Sequence, residues 1–251
     1  MTFPTLLRKE LRGFFLSPVA FIVLAMMMLV QGVSFIFALK PLLTAPQSQS
    51  LVATQFTSAL FWIPLFVLFP LITMRLFSEE QKMGTLEMLL TAPVRLGEVV
   101  LAKFFACLIF YLVLWAPSLS HYVLLEWIGG VSNAYPKFSL GGAFTMLVLL
   151  GAMNISIGCL ASSLTTNQIV AGILTFALIV MLFLLGHLPS GSLGGLTQPV
   201  QEFFEYINSD LHMRRFTSGN FDSRPIFFYL SATVVLLVTT TVTLNARRWK
   251  S

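Results

Sequence analysis

Charged side chains are scarce in this chain. They make up 10% of its 251 residues, against about 25% in an ordinary soluble domain. With so little charge and 57% hydrophobic residues, the apolar excess must face something other than water, and lipid is the ready candidate. Cysteine is scarcer still. Cys107 and Cys159 both sit within apolar runs, which excludes a disulfide scaffold or a cysteine metal site and makes them small core hydrophobes. His187 and His212 read as interface residues, because a single histidine offers no coordination set. Met26, Met27 and Met28 are consecutive, so on a helix they point in different directions and serve packing rather than metal binding. No G-x-x-x-x-G-K-[ST] motif occurs, so the chain has no phosphate-cradling loop. The net charge of +5 reads as basic loops beside anionic lipid. The terminal "RRWK" is one short cluster, not a nucleic-acid surface.

Six stretches meet the requirement of about 20 mostly apolar residues for a membrane span. They are 18–39, 56–77, 99–125, 140–164, 168–188 and 226–246. The predicted fold class is therefore an all-α integral membrane protein forming a single transmembrane domain over 1–251. The first apolar run is too long for a cleavable signal and is expected to stay as an anchor. Lysine and arginine set the orientation. With the N-terminus in the cytoplasm, Arg8, Lys9, Arg12, Arg75, Lys82, Arg95, Lys103, Arg247, Arg248 and Lys250 lie inside, against Lys40, Lys137, Arg214, Arg215 and Arg224 outside. Both termini are thus expected in the cytoplasm. Pro64, Pro70 and Pro117 mark spans that bend. The small residues of "GAMNISIGCLASS" (151–163) mark the fourth span as a close-packing helix, with Asn154 and Ser156 bonding across helices.

Two segments outside the spans are amphipathic. Residues 3–15 set Leu6, Leu7, Leu11, Phe14 and Phe15 against Arg8, Lys9, Glu10 and Arg12, the pattern of a helix lying along the membrane surface. In the outer segment 189–224, Val200, Phe203, Phe204, Ile207 and Leu211 share one helical face, predicting an interfacial or re-entrant helix rather than a seventh span.

Against this apolar background, residues 75–103 gather Arg75, Glu79, Glu80, Lys82, Glu87, Arg95, Glu98 and Lys103. Ser78 and Gln81 read as a capping box starting a helix. Met83, Leu86, Leu89 and Leu90 fall at helical spacing while Glu79, Glu80 and Glu87 stay wet. Gly84 weakens the middle, Thr85 can cap a second short helix, and Pro93 ends it. Such a helix either rests on its own bundle and lipid headgroups or lodges in a partner's groove. Lys103, one turn inside the third span, is placed to snorkel to the interface.

The segment "LFSEEQKMGTLEMLLTAPVRLGEVVLAKF" resembles the signature of ABC type-2 transporter permeases. Glu79-Glu80, Gly84-Thr85-Leu86-Glu87, Leu89-Leu90-Thr91-Ala92-Pro93 and Lys103 follow the second span in the family's order. The likeness is greatest to the gliding-motility-associated (GldF-like) branch, with the NosY-like permeases as neighbours. It implies a permease subunit of a bacterial inner-membrane exporter that is no enzyme by itself and binds no cofactor. ATP and Mg would sit on a separate ATPase subunit, and a second permease would complete a homodimer or heterodimer. Loop 78–98 would be the coupling helix: Glu79, Glu80, Thr85, Leu86, Glu87, Leu89, Leu90 and Pro93 would meet the ATPase, with Gly84 permitting close approach. Phe61, Trp62, Phe66 and Phe69 would line a translocation path if they are not lipid-facing filler. Membrane lipid and a periplasmic protein at the outer loop complete the implied partners, and nucleic acid is not among them. Two other classes compete. An ion-coupled carrier would use Lys103, His121 and Glu126. An intramembrane serine protease would use Ser156 and His187.

Overall fold

The computed structural model describes residues 3–44, 50–84, 95–129, 135–188 and 198–248. All regular structure among them is helical. In chain order the helices are α1 (Phe3–Phe15), α2 (Pro18–Thr44), α3 (Leu51–Phe56), α4 (Ala59–Thr73), α5 (Ser78–Lys82), α6 (Leu96–Gly129), α7 (Lys137–Leu164), α8 (Gln168–His187), α9 (Gln198–Ile207), α10 (Ser209–Thr217) and α11 (Ser223–Arg248). Six stretches are long and apolar enough to cross a bilayer: Pro18–Pro41, Ala59–Lys82, Leu96–Ile128, Lys137–Leu164, Gln168–His187 and Ser223–Ala246. The chain is an all-α, multi-span membrane protein. An even number of spans returns it to the side on which it starts. That side carries α1, α5 and the turn at 165–167, and α3, α9 and α10 gather at the other.

The bundle is arranged around α7. It is the most buried span, whereas α2, α8 and α11 leave most of their apolar surface uncovered. Its small residues allow this. A Cβ on Gly158 would stand 2.2 Å from Thr73 Oγ1 on α4, and one on Gly151 would stand 2.3 Å from the Tyr111 ring on α6. In lipid there is no hydrophobic gain from bringing two apolar helices together, so close backbone approach and dispersion must hold them. Ser156, expected to bond across helices, instead donates within α7 to Ala152 O at 2.6 Å and Met153 O at 3.0 Å. The cross-helix bond comes six residues on, from Ser162.

Two elements depart from the expected layout. The second span does not begin at 56. The chain forms the short α3, capped by Ser50 Oγ accepting from Ala53 N at 3.2 Å, then breaks at 57–58 before α4 starts. Leu51, Val52, Gln55 and Phe56 of α3 are buried, with Phe56 between Phe61 and Trp115. The outer amphipathic segment is likewise two helices. Asn208 divides them: its Oδ1 accepts from Leu211 N at 3.0 Å and its Nδ2 donates to Gly186 O at 2.8 Å. Val200, Phe203, Phe204 and Ile207 therefore belong to α9 and Leu211 to α10. α9 lies against α8, while α10 packs on α7 and α3. His212 of α10 is buried, with its ring nitrogen 3.3 Å from Tyr229 Oη. Burial, aided by the nearby Arg215 and opposed by Asp222, pushes its pKa down to about 4, so near neutrality it is an uncharged packing residue.

The prolines sit inside helices that continue past them: Pro64 and Pro70 in α4, Pro117 in α6 and Pro41 in α2. Pro117 offers no N–H to the carbonyl four residues back. Beside that gap, Gln31 of α2 donates its amide to Leu114 O at 2.9 Å.

Gly158→Val should force α4 and α7 apart, because the obstructing Thr73 Cβ lies 2.4 Å from the new Cβ and cannot swing away. Overpacking of this kind costs about 1–3 kcal/mol or more. Thermal unfolding of the detergent-purified protein should show the loss. Thr73→Gly combined with Gly158→Ala should recover most of it, and equal melting of all three proteins would refute the contact.

Candidate functional site

The charged connector leaves the membrane through a turn after α4 and forms α5. Ser78 was expected as the N-cap, but it is the first residue of the helix, and the capping position belongs to Phe77. The cap comes from elsewhere in the chain. Ser162 Oγ of α7 accepts from Phe77 N at 3.0 Å and Ser78 N at 3.1 Å, and donates to Met74 O at 3.2 Å. Gln81 Nε2 adds a bond to Ser163 O at 3.0 Å. The start of α5 is thereby fastened to the end of α7, and nothing local in the sequence announces it.

A second fastening is ionic. Lys103 turns to other side chains of the chain rather than out to solvent. Its side chain is 4% exposed, and Nζ lies 2.8 Å from Glu80 Oε1 and 3.1 Å from Glu10 Oε2. The ammonium also stands 5.7 Å from the centre of the Phe77 ring. One lysine of α6 thus joins the amphipathic α1 to the connector helix α5. Glu80 is correspondingly not a freely wetted residue. A lysine inside an apolar run has to find a carboxylate, and that was the only sequence signal for this arrangement. Apolar contacts reinforce it: Leu6 packs with Val99 and Ala102, and Phe14 stacks on Phe110 at 5.3 Å.

α5 stops at Gly84, whose φ of +69° is the left-handed value that ends helices and favours glycine. A Cβ there would meet nothing within 4 Å. Among the described residues, Gly84 is thus called for by the turn. Met83 beside it is 69% exposed, while Glu79 is half-buried. Thr85, Leu86, Glu87, Leu89, Leu90 and Pro93 lie outside the described residues.

The aromatic residues proposed for a path sit between spans of one chain. Phe61, Trp62 and Phe69 are buried and Phe66 is half-buried. Trp62 and Phe66 both pack on Phe183 of α8, at 4.9 Å between ring centres. The second and fifth spans therefore meet through these rings.

The residues of the competing classes are not brought together. Ser156 is bonded within α7, while His187 Nδ1 lies 2.9 Å from Phe183 O. Measured from the turn that joins their helices, the two differ in depth by about 17 Å at 1.5 Å per residue. Lys103 and His121 are about 27 Å apart along α6 by the same rule. Glu126 at the far end faces Lys137 at 3.8 Å, and His121 stacks on Phe35. These groups form no relay through the bundle.

Six apolar spans with a charged helix clasped at one mouth define a membrane-embedded protein. The sequence model described as ABC-2 family transporter protein matches residues 16–188, more than half of the chain, with the connector near its centre. The chain belongs to the ABC-2 transporter family, and it is an ABC-type permease. No curated protein sequence matches it.

Lys103→Met should destabilise the protein by about 3–5 kcal/mol, because it leaves two carboxylates facing each other without their cation. Adding Glu10→Gln and Glu80→Gln to that variant should restore most of the loss. Thermal unfolding in detergent reads both. A Lys103→Met protein as stable as the wild type, or a triple variant no better than the single, would contradict the clasp.

Proposed function

We propose that this permease works with a separate ATPase subunit and that residues 78–98 carry the coupling between them. The observation that supports this most directly is the Lys103 clasp. It ties the connector to both the surface helix α1 and the long span α6, so a displacement of α5 is passed to the bundle rather than absorbed in a loose loop. ATP and Mg are held by the partner, consistent with the absence of a phosphate-cradling motif in this sequence. A second permease completes the translocating unit. The direction is export from the cytoplasm of a bacterium across its inner membrane, with the outer segment 189–224 open to a periplasmic partner. Within the family, the likeness of the motif at 79–93 supports assignment to the gliding-motility-associated branch.

In this reading the exposed Met83, just past the end of α5, faces the ATPase, together with Thr85, Leu86, Glu87, Leu89, Leu90 and Pro93, while the half-buried Glu79 turns to the cavity beside the clasp. Glu80 takes a different part, because its carboxylate is engaged with Lys103: it positions α5 rather than reaching the partner alone. Phe61, Trp62, Phe66 and Phe69 border the path where the second and fifth spans meet, so cargo passage there requires Phe183 to separate from Trp62 and Phe66.

The coupling test avoids Glu80, whose loss would also disturb the clasp. Glu87→Lys and Leu90→Asp should each cut ATPase copurification by roughly tenfold or more, since removing a buried charged contact costs about 2–5 kcal/mol. The melting temperature of the permease should stay unchanged. The isolated chain should hydrolyse no ATP. Full ATPase retention by both variants, with normal stimulated hydrolysis, would reject the coupling role.

Orientation is tested separately. Cysteines at Thr166, in the exposed turn after α7, and at Ser218, exposed after α10, should react from the cytoplasmic and outer sides respectively. Native Cys107 and Cys159 are buried and should contribute little background. The reverse labelling pattern would invert the topology.

A further inference from the structure

Beside the Lys103 clasp lies a half-open cavity of about 400 Å³, bounded by α1, α2, α4, α5 and α6. We propose that it binds the headgroup and upper chain of one amine-bearing phospholipid from the same leaflet. The reading is independent of ATPase docking and rests on three properties of the cavity.

The first is its polarity gradient. The charged groups of Glu10, Arg75, Glu79, Glu80 and Lys103 cluster at one end, while the rest of the wall is mainly apolar, Phe14, Ala20, Val23, Ile72 and Phe110 among it, with Ser17 as its polar member. From Lys103 to Phe110 the wall runs about 10 Å along α6. A ligand filling it must therefore be polar at one end and apolar at the other. The second is position. The charged mouth lies where α4 and α6 leave the bilayer, at headgroup level, and the apolar wall lies at the depth of the first acyl carbons.

The third is charge complementarity. Lys103, Glu10 and Glu80 are committed to one another, and as a group they retain one negative charge. Arg75 and Glu79 make no ion pair with each other or with any other described residue. One cation and one carboxylate on a single mouth match a headgroup that carries a phosphate and an ammonium together. The guanidinium of Arg75 takes the phosphate oxygens in its planar fork. Glu79 takes the primary ammonium. A phosphatidylglycerol headgroup offers Glu79 only neutral hydroxyls where phosphatidylethanolamine offers a charged ammonium. A trimethylated amine has no N–H to give a carboxylate.

Native mass spectrometry of the purified full chain, released from nanodiscs with equal fractions of phosphatidylethanolamine, phosphatidylglycerol and phosphatidylcholine, tests the site. Wild-type protein should retain one phosphatidylethanolamine in preference to the other two. Arg75→Gln and Glu79→Gln should each reduce that retention by roughly tenfold, the equivalent of one charge-assisted hydrogen bond. Ala20→Phe, which fills the wall without touching a charge, should abolish it. Equal retention of all three lipids by the wild type, or undiminished retention by Arg75→Gln and Ala20→Phe proteins that still melt cooperatively, would overturn the assignment. Because the measurement contains no ATPase, loss of the coupling role leaves this result standing, and the reverse also holds.

Discussion

The ammonium of Lys103 cannot be where it is without its two carboxylates. An isolated charge withdrawn from water costs far more than any single packing contact returns, and only paired, hydrogen-bonded charges survive such burial. With Glu10 and Glu80 at 3.1 and 2.8 Å, the lysine becomes a fixed point to which three separate elements are attached. α1 would otherwise be a surface helix held mainly by Leu6 and its phenylalanines. α5 is five residues long, too short to persist alone, since forming the first helical turn is unfavourable. Both have a defined place because α6 carries a cation that needs them.

The clasp works only because α7 supplies a rigid counterpart. Gly151 and Gly158 let α6 and α4 approach until no side chain could intervene, and Ser162 then receives the first two N–H groups of the connector. The end of the second span is therefore held from two sides, ionically through Lys103 and by neutral hydrogen bonds through Ser162. These two sets of bonds respond differently to their surroundings. The ionic set loses strength when water or salt reaches it, whereas the hydroxyl bonds depend chiefly on α4 and α7 keeping their distance.

The spans were legible in the sequence because lipid imposes a simple demand on length and polarity, and each of the six apolar stretches contains a long helix. Close packing of 151–163 was legible from side-chain size. The break at 57–58 and the split at Asn208 were not, since each is decided by what the segment meets: α3 turns into the aromatic core, and Asn208 caps one helix while bonding the carbonyl end of another. The candidate site divides in the same way. The gathering of charge at 75–103 was visible in the sequence. The pairing of Glu10 with Lys103 spans 93 positions and has no local trace. The cap on α5 lies 84 positions from Ser78, so Ser78 was naturally read as its own cap.

The composition of the clasp bears on its use. A buried ion cluster is a poor choice for stability alone, because apolar residues of similar volume often do as well or better. What charges add is a sharp dependence on geometry: an apolar contact slides, whereas an ammonium between two carboxylates has one favourable arrangement and loses strongly outside it. Two carboxylates share the one lysine, so a change at either α1 or α5 is felt by the other. Elements joined in this way move together or separate together, and a group that binds beside them changes which of those two states is preferred. For a permease driven at the membrane surface, as proposed above, such a joint at the mouth of the bundle transmits displacement with a sharper dependence on geometry than an apolar one of equal strength.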